Sequence, residues 1–395
     1  MVGSQSDFRE SLERVRVRIS ISQSRQPTKQ EAQAILSALR VGVPPQRGVL
    51  AISINREKEF QTILADVEQV ASGKSKLLFI NGLYGAGKSH LLYVLKEFAL
   101  SKNLAVSLVS LTHGECPLHD LLTVYQRLVQ SLEVPDAPKG QALEAILARW
   151  ATSLHAHARG STDAARVSIR RLPPEFQAVL ATFYSASQTH DYALRSLALS
   201  WLRGELRSPR QARCLGVAVV PTNDNALWML GNLARMIRFL TLSGLVILLD
   251  EAESIASVRQ LPQREAGYRN LRSLMESGRT PFCYFVYATT PDFMEHSREF
   301  LGALTQKPKV LEIASLQRDD LIELGLVIRD LHLQSYTWAN VSRIKGSRWL
   351  GSLRKLLGGS REQLTNRVFV RSIVAALDVC QSNPDLAPET TLPGL

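Results

Sequence analysis

Five short runs constrain this chain more than anything else in it: LLFIN (77–81), LAVSLVSL (104–111), GLVILLD (244–250), CYFVYAT (283–289) and KVLEI (309–313). Each is mostly apolar without alternation, and stretches of helical periodicity separate them. A strand with one wet face alternates polar and apolar residues, so a run without alternation is buried on both faces. Such strands joined by helices predict an α/β fold with a central parallel sheet flanked by helices. The interval between the second and third runs is by far the longest. It reads as helices over 118–133, 141–158, 174–187, 191–206 and 225–242, a large helical insertion. Helices are also expected at 29–41, 57–71 and 88–100, and at 317–333, 347–357 and 366–380. Thr28 is the expected cap of the first, which has Ala32, Ile35, Leu36 and Leu39 on one face.

These readings divide the chain into a basic N-terminal arm (1–28), the first part of a core (29–117) and a helical, partly basic insertion (118–240). The second part of the core (241–315), a C-terminal helical lid (316–380) and a disordered tail (381–395) follow. With 45% apolar and 21% charged residues among 395, the composition excludes a largely disordered chain. The four cysteines, Cys116, Cys214, Cys283 and Cys380, are far apart and form no CxxC pair. Neither a disulfide scaffold nor a zinc site is expected, and a reducing compartment is. The opening MVGSQSDFRE has no apolar stretch, and LVILL (245–249) is far too short to span a bilayer. A cytoplasmic protein without a membrane partner is the expectation.

The run at 77–81 leads straight into Gly82-Leu83-Tyr84-Gly85-Ala86-Gly87-Lys88-Ser89, followed by an expected helix. This is GxxxxGK[ST] in the context its chemistry needs. Glycines let successive N–H groups face a phosphate chain, and the helix adds its positive end. Gly82, Tyr84, Gly85, Ala86, Gly87, Lys88, Ser89 and the adjacent His90 are the candidate nucleotide contacts. Lys88 is suited to the β- and γ-phosphates of ATP, and the Ser89 hydroxyl to Mg²⁺. The third run ends in Asp250-Glu251, which supplies a second Mg²⁺ group in Asp250 and a group to polarise water in Glu251. The fourth ends at Thr289-Thr290-Pro291. The Thr289 hydroxyl is a candidate for placing the attacking water between loop and acid; alternatively, the threonines only cap the helix at Asp292.

The order of glycine loop, Asp-Glu strand, threonine strand and helical C-terminal part resembles the AAA+ ATPases, nearest the initiator-like and signal-transducing branches. Longer stretches narrow the likeness: ALRVGVPPQRGVLAISINREKEF (38–60), FINGLYGAGKSHLLYVLKEFAL (79–100) and SLTHGECPLHDLLTVYQRLVQSL (110–132). LRSLALSWLRGE (194–205), GLVILLDEAESI (244–255), FVYATTPDF (285–293) and LQRDDLIELGLVIRDLH (316–332) belong with them. Together these resemble the BREX-system ATP-binding family of BrxC/BrxD-like P-loop proteins from bacterial anti-phage loci. The resemblance implies a cytoplasmic, Mg²⁺-dependent ATPase working with other defence proteins, of helicase or methyltransferase type, at DNA. It also allows a homo-oligomer. It carries over Gly82, Gly85, Gly87, Lys88 and Ser89 as nucleotide contacts, and Asp250 and Glu251 as the metal and hydrolysis pair.

The formal charge of +11 fits a polyanionic partner, and the tracts 159–213 and 343–371 are rich in arginine. A biased base composition, or an ordinary solvated surface, would give the same excess. Arg279, Arg298, Arg367 and Arg371 are candidate finger or lid arginines. Two further readings stay open. One is an ATP-dependent scaffold that recruits an effector with little hydrolysis. The other, a P-loop kinase for a small substrate, finds no second phosphate site in the sequence.

Overall fold

The computed structural model describes residues 26–112, 116–157, 169–276, 280–297, 302, 308–344, 346–358, 365–383 and 385–386. In chain order the elements used below are α1 (Lys29–Arg40), α2 (Glu57–Ala71), β1 (Lys76–Asn81), α3 (Lys88–Ser101) and β2 (Ala105–Ser110). Next come α4 (Leu121–Gln130), β3 (Leu132–Glu133), α5 (Ala142–His157), α6 (Pro174–Gln188), α7 (Tyr192–Leu202), α8 (Pro209–Cys214) and α9 (Ala226–Leu240). The last are β4 (Leu245–Asp250), α10 (Leu261–Met275), β5 (Cys283–Thr289), α11 (Pro291–His296), β6 (Lys309–Glu312), α12 (Arg318–Ser335), α13 (Ser347–Leu356) and α14 (Asn366–Ser382). They form two compact units. A helical unit gathers the described residues of Met1–Gln61, Gly85–Val94 and Ala314–Leu395; a sheet unit gathers those of Thr62–Tyr84 and Leu95–Ile313.

The sheet has the order β3-β2-β4-β5-β1-β6. All neighbours are parallel except β2 with β3. The expected mixed α/β fold with a mostly parallel central sheet is therefore present. Its middle strands are dry: all seven residues of β5 are buried, and in β4 only Asp250 reaches solvent. The outermost strands differ. β6 is largely exposed, and β3 is only two residues long. No apolar run announces β3. Its Glu133 is held by the buried Lys96 ammonium at 3.1 Å.

The helices between β2 and β4 share the apolar core of the sheet unit. Phe176 stands edge-on to Trp201 at 5.1 Å and to Trp228 at 5.6 Å, and the Trp201 indole donates to the Val219 carbonyl. Several arginines of the basic tract are used inside this region. Arg203 donates to Glu144 at 2.8 Å, Arg207 donates to the carbonyls of Gly204 and Pro221, Arg195 lies over Phe183, and Arg171 lies over Phe239. Arg210 and Arg213 are exposed on α8; Arg159 and Arg166 lie outside the described residues.

In the helical unit, α1 begins with a capping box in which Thr28 and Glu31 satisfy each other's backbone N–H. Ala32, Ile35, Leu36 and Leu39 are buried against residues of α12 and α14. A polar cluster ties the same three helices. Arg40 grips Asp378 with two N–H groups at 2.6 and 2.9 Å and also donates to the Tyr336 hydroxyl. The Trp338 indole donates to Nδ1 of His332, which puts the ring proton on Nε2, 3.0 Å from Asp378 Oδ1. Although partial burial opposes it, bonding to Arg40 and His332 holds the Asp378 carboxyl down at about 2.

A carboxylate with a lowered folded pKa stabilises above its unfolded value and loses that contribution as pH falls through the folded one. The Asp378 contribution is thus full above about pH 4 and fades towards pH 2. Asp378→Asn is expected to cost about 1.5–3 kcal/mol at neutral pH. It should also flatten the decline of urea stability over that acid window. An unchanged acid limb would refute the assignment.

Candidate functional site

The parallel register sets one edge of the sheet. Asn81 at the end of β1 lies opposite Thr289 at the end of β5, and Leu249 lies opposite Tyr287, so Asp250 comes level with Ala288. β5 is therefore inserted between the strand that feeds the glycine loop and the strand that ends in the acids. The loop leaves the sheet with the Gly82 N–H on the Thr289 carbonyl. Leu83 and Tyr84 follow, both strongly exposed.

Two buried side-chain oxygens at this edge have no hydrogen-bond partner among the described residues: Thr289 Oγ1 and Asn81 Oδ1. Thr289 is fully buried. Such orphans are costly in a core, and they mark places where a ligand or water completes the bonding. The Asn81 amide is already committed, donating to both carboxylate oxygens of Glu312. Thr290, not Thr289, caps α11 through the Phe293 N–H, which leaves Thr289 without that structural role.

Glu251, directly after β4, has a φ of +58°. A non-glycine residue in the left-handed region carries strain, and such residues gather at functional sites. Its carboxylate accepts from the Ser110 hydroxyl at 3.0 Å, at the end of β2, while its N–H donates to Asp250 Oδ1. Ser110 escaped the sequence reading because nothing in the order of residues says that β2 and β4 are neighbours.

In the helical unit the loop continues through Gly85 and Gly87, with φ of +80° and +107°, into α3 at Lys88. Both glycines are where an L side chain is strained, and a Cβ on Gly85 would also come 3.3 Å from Thr365. Ala86 and Lys88 are buried, and Ser89 is half-buried. Arg56 is a second residue that sequence reasoning missed. Its guanidinium donates to the Ala86 carbonyl at 3.1 Å, to Ala314 at 2.7 Å and to Glu59 at 3.1 Å. The carbonyl of Ala86 is thus turned onto a cation and the loop's shape is pinned. His90 points to Ser53 at 2.8 Å. The Ser53 hydroxyl donates to Val49, so Nε2 of His90 is the donor. Burial, with help from Arg56, pushes its pKa down to about 4, so it is uncharged at neutral pH. Arg367 and Arg371 lie with their stems against the turn at Gly42, and Arg279 and Arg298 lie outside the described residues.

In the helical unit, left-handed glycines precede a helix N-terminus with Lys and Ser. In the sheet unit, orphaned oxygens and a carboxylate stand at the ends of β1, β5 and β4. A glycine loop of this kind suits the phosphates of a nucleotide. The family of BREX system ATP-binding proteins BrxC/D matches residues 28–394, and the chain belongs to that family. ATP is the ligand that membership implies. No curated protein and no solved structure matches the chain. Among the described residues no helix is long and apolar enough to cross a membrane.

Replacing Arg56 by Ala removes a nearly buried cation from two carbonyls and from Glu59. Urea unfolding should show a loss of about 3–5 kcal/mol, the cost of leaving one partner of a buried pair. A loss below about 1 kcal/mol, the range of surface ion pairs, would mean that the loop is not held this way.

Proposed function

We propose that the chain is a P-loop, AAA+-like ATPase that binds ATP with Mg²⁺ on Gly82–Ser89 and hydrolyses it, acting with other BREX proteins at DNA. The single observation that carries the hydrolytic part is the orphaned Thr289 hydroxyl, buried on the strand between the loop strand and the acid strand. In this reading backbone N–H groups of Gly85, Ala86 and Gly87 and the side chain of Lys88 hold the phosphates. Tyr84 covers the loop's exposed side. Ser89 and Asp250 hold Mg²⁺, which neutralises phosphate charge when bound. Glu251 polarises the attacking water and Thr289 orients it. His90, being uncharged and turned to Ser53, supports the helix start rather than touching phosphate. Exposed arginines of the two basic tracts, Arg210, Arg213, Arg348 and Arg354 among them, would meet DNA phosphates in this reading.

One observation favours a second reading, in which ATP orders a scaffold with little turnover. Glu251 is tied to Ser110, so its carboxylate is engaged before any water arrives. Under this reading the bond is a brake that DNA or a partner such as a helicase or methyltransferase releases.

Steady-state hydrolysis with and without duplex DNA separates the two. Lys88→Ala is expected to weaken ATP binding at least about tenfold, the worth of one charge-assisted hydrogen bond. Glu251→Gln should keep binding and slow turnover by about 10²–10⁴-fold, as loss of a general base does. Ser110→Ala should raise the basal rate if the bond is a brake. No turnover under any condition, with ATP bound normally, would leave only the scaffold.

A further inference from the structure

The sheet unit holds a cleft of about 680 Å³, formed by α4, the turn before α9, α9 itself and α10. It is built from residues that neither the glycine loop nor the acids use. One wall is a stripe of α10 in which Arg269, Asn270 and Ser273 lie on one face. The facing wall carries Trp228 and, two turns on, Arg235. His119 stands at the entry to α4.

The walls are fixed by bonds that leave their charges available. Asn270 donates to the Leu118 carbonyl at 3.0 Å, and the Asn223 carboxamide accepts from the Leu122 N–H at 2.9 Å. Arg235 uses one N–H group on Asn232 at 3.0 Å. Trp228 is held edge-on by Phe176 and is half-buried. Two guanidinium groups face one carboxylate, Asp224, so the lining is net positive. The volume matches that of small-ligand sites, about 300–1,000 Å³.

Guanidinium groups bind phosphate, and an indole offers a surface to a flat aromatic group. Side by side in one cleft they suit a unit that carries both. We infer that this cleft binds nucleotide units of single-stranded nucleic acid, with an unpaired base against Trp228 and flanking phosphate on Arg235 and Arg269. A duplex keeps its bases stacked inside and offers no such unit. The inference rests on the proposed action at DNA and narrows it to unpaired strand. The charge of +11 on the whole chain favours the approach of such a polyanion.

The test uses fluorescence anisotropy of a labelled oligothymidylate with the full chain, without ATP, over a range of salt. Arg269→Ala should weaken binding about tenfold and reduce the salt slope by about 0.7 for one lost phosphate. Arg269 is exposed, so folding is not at risk. Arg47→Ala, an exposed arginine outside the cleft and outside both basic tracts, should change affinity less than about twofold. An abasic oligonucleotide of equal length should bind about five- to a hundredfold more weakly, the worth of stacking one base. Three results would each overturn the cleft: equal losses in the two arginine variants, equal binding of the abasic strand, or thymidine monophosphate binding as tightly as the oligomer. Duplex-stimulated hydrolysis without binding of single strands would sink this inference and leave the proposed ATPase standing.

Discussion

The parallel pairing of β5 with β1 on one side and β4 on the other is the constraint on which the site depends. It fixes Thr289 opposite Asn81 and sets the acid-bearing end of β4 one strand away. Parallel strands are evenly spaced and all run the same way, so every strand end that matters emerges at one edge. Shifting β5 by one residue would turn the Thr289 side chain to the opposite face. The sheet is dry on both faces, and that burial makes the register costly to change.

The local chemistry at the edge departs from what a core would choose. Thr289 is fully buried with a hydroxyl unpaired among the described residues, and Glu251 sits in a left-handed conformation. Each carries a cost of about 1–3 kcal/mol. Their coincidence at the ends of adjacent strands is hard to explain as packing. On the loop side, the cost of positive φ is avoided by placing glycine at 85 and 87, and Arg56 takes the carbonyl that the turn exposes.

Much of this was legible in the residues. The runs at 77–81, 244–250 and 283–289 have no polar alternation, so the strands declared themselves, and the spacing of Phe60, Ile63, Val67 and Val70 did the same for α2. What remained hidden has physical reasons. β3 is too short to carry a pattern, and its partner is chosen by tertiary packing. α10 is rich in arginine and polar residues and shows few apolar positions, so its helical period is faint. Contacts across the sheet, such as Ser110 with Glu251, depend on strand order, which no local window contains. The same holds for the arginines of the insertion. Sequence shows a basic tract, but only the fold reveals that Arg203 and Arg207 are spent on Glu144 and on main-chain carbonyls.

The function proposed above has the glycine loop and the acid-bearing strand end serve one bound ATP and its cation. Manganese substitutes for magnesium and reports its own coordination by electron paramagnetic resonance. Titrating Mn²⁺-ATP into the full chain tests the claim most directly. The account predicts a bound, immobilised Mn²⁺ signal in the wild type. The signal should be lost or strongly altered in both Ser89→Ala and Asp250→Asn, while metal-free ATP binding persists. An Asp250→Asn spectrum identical to that of the wild type would contradict it.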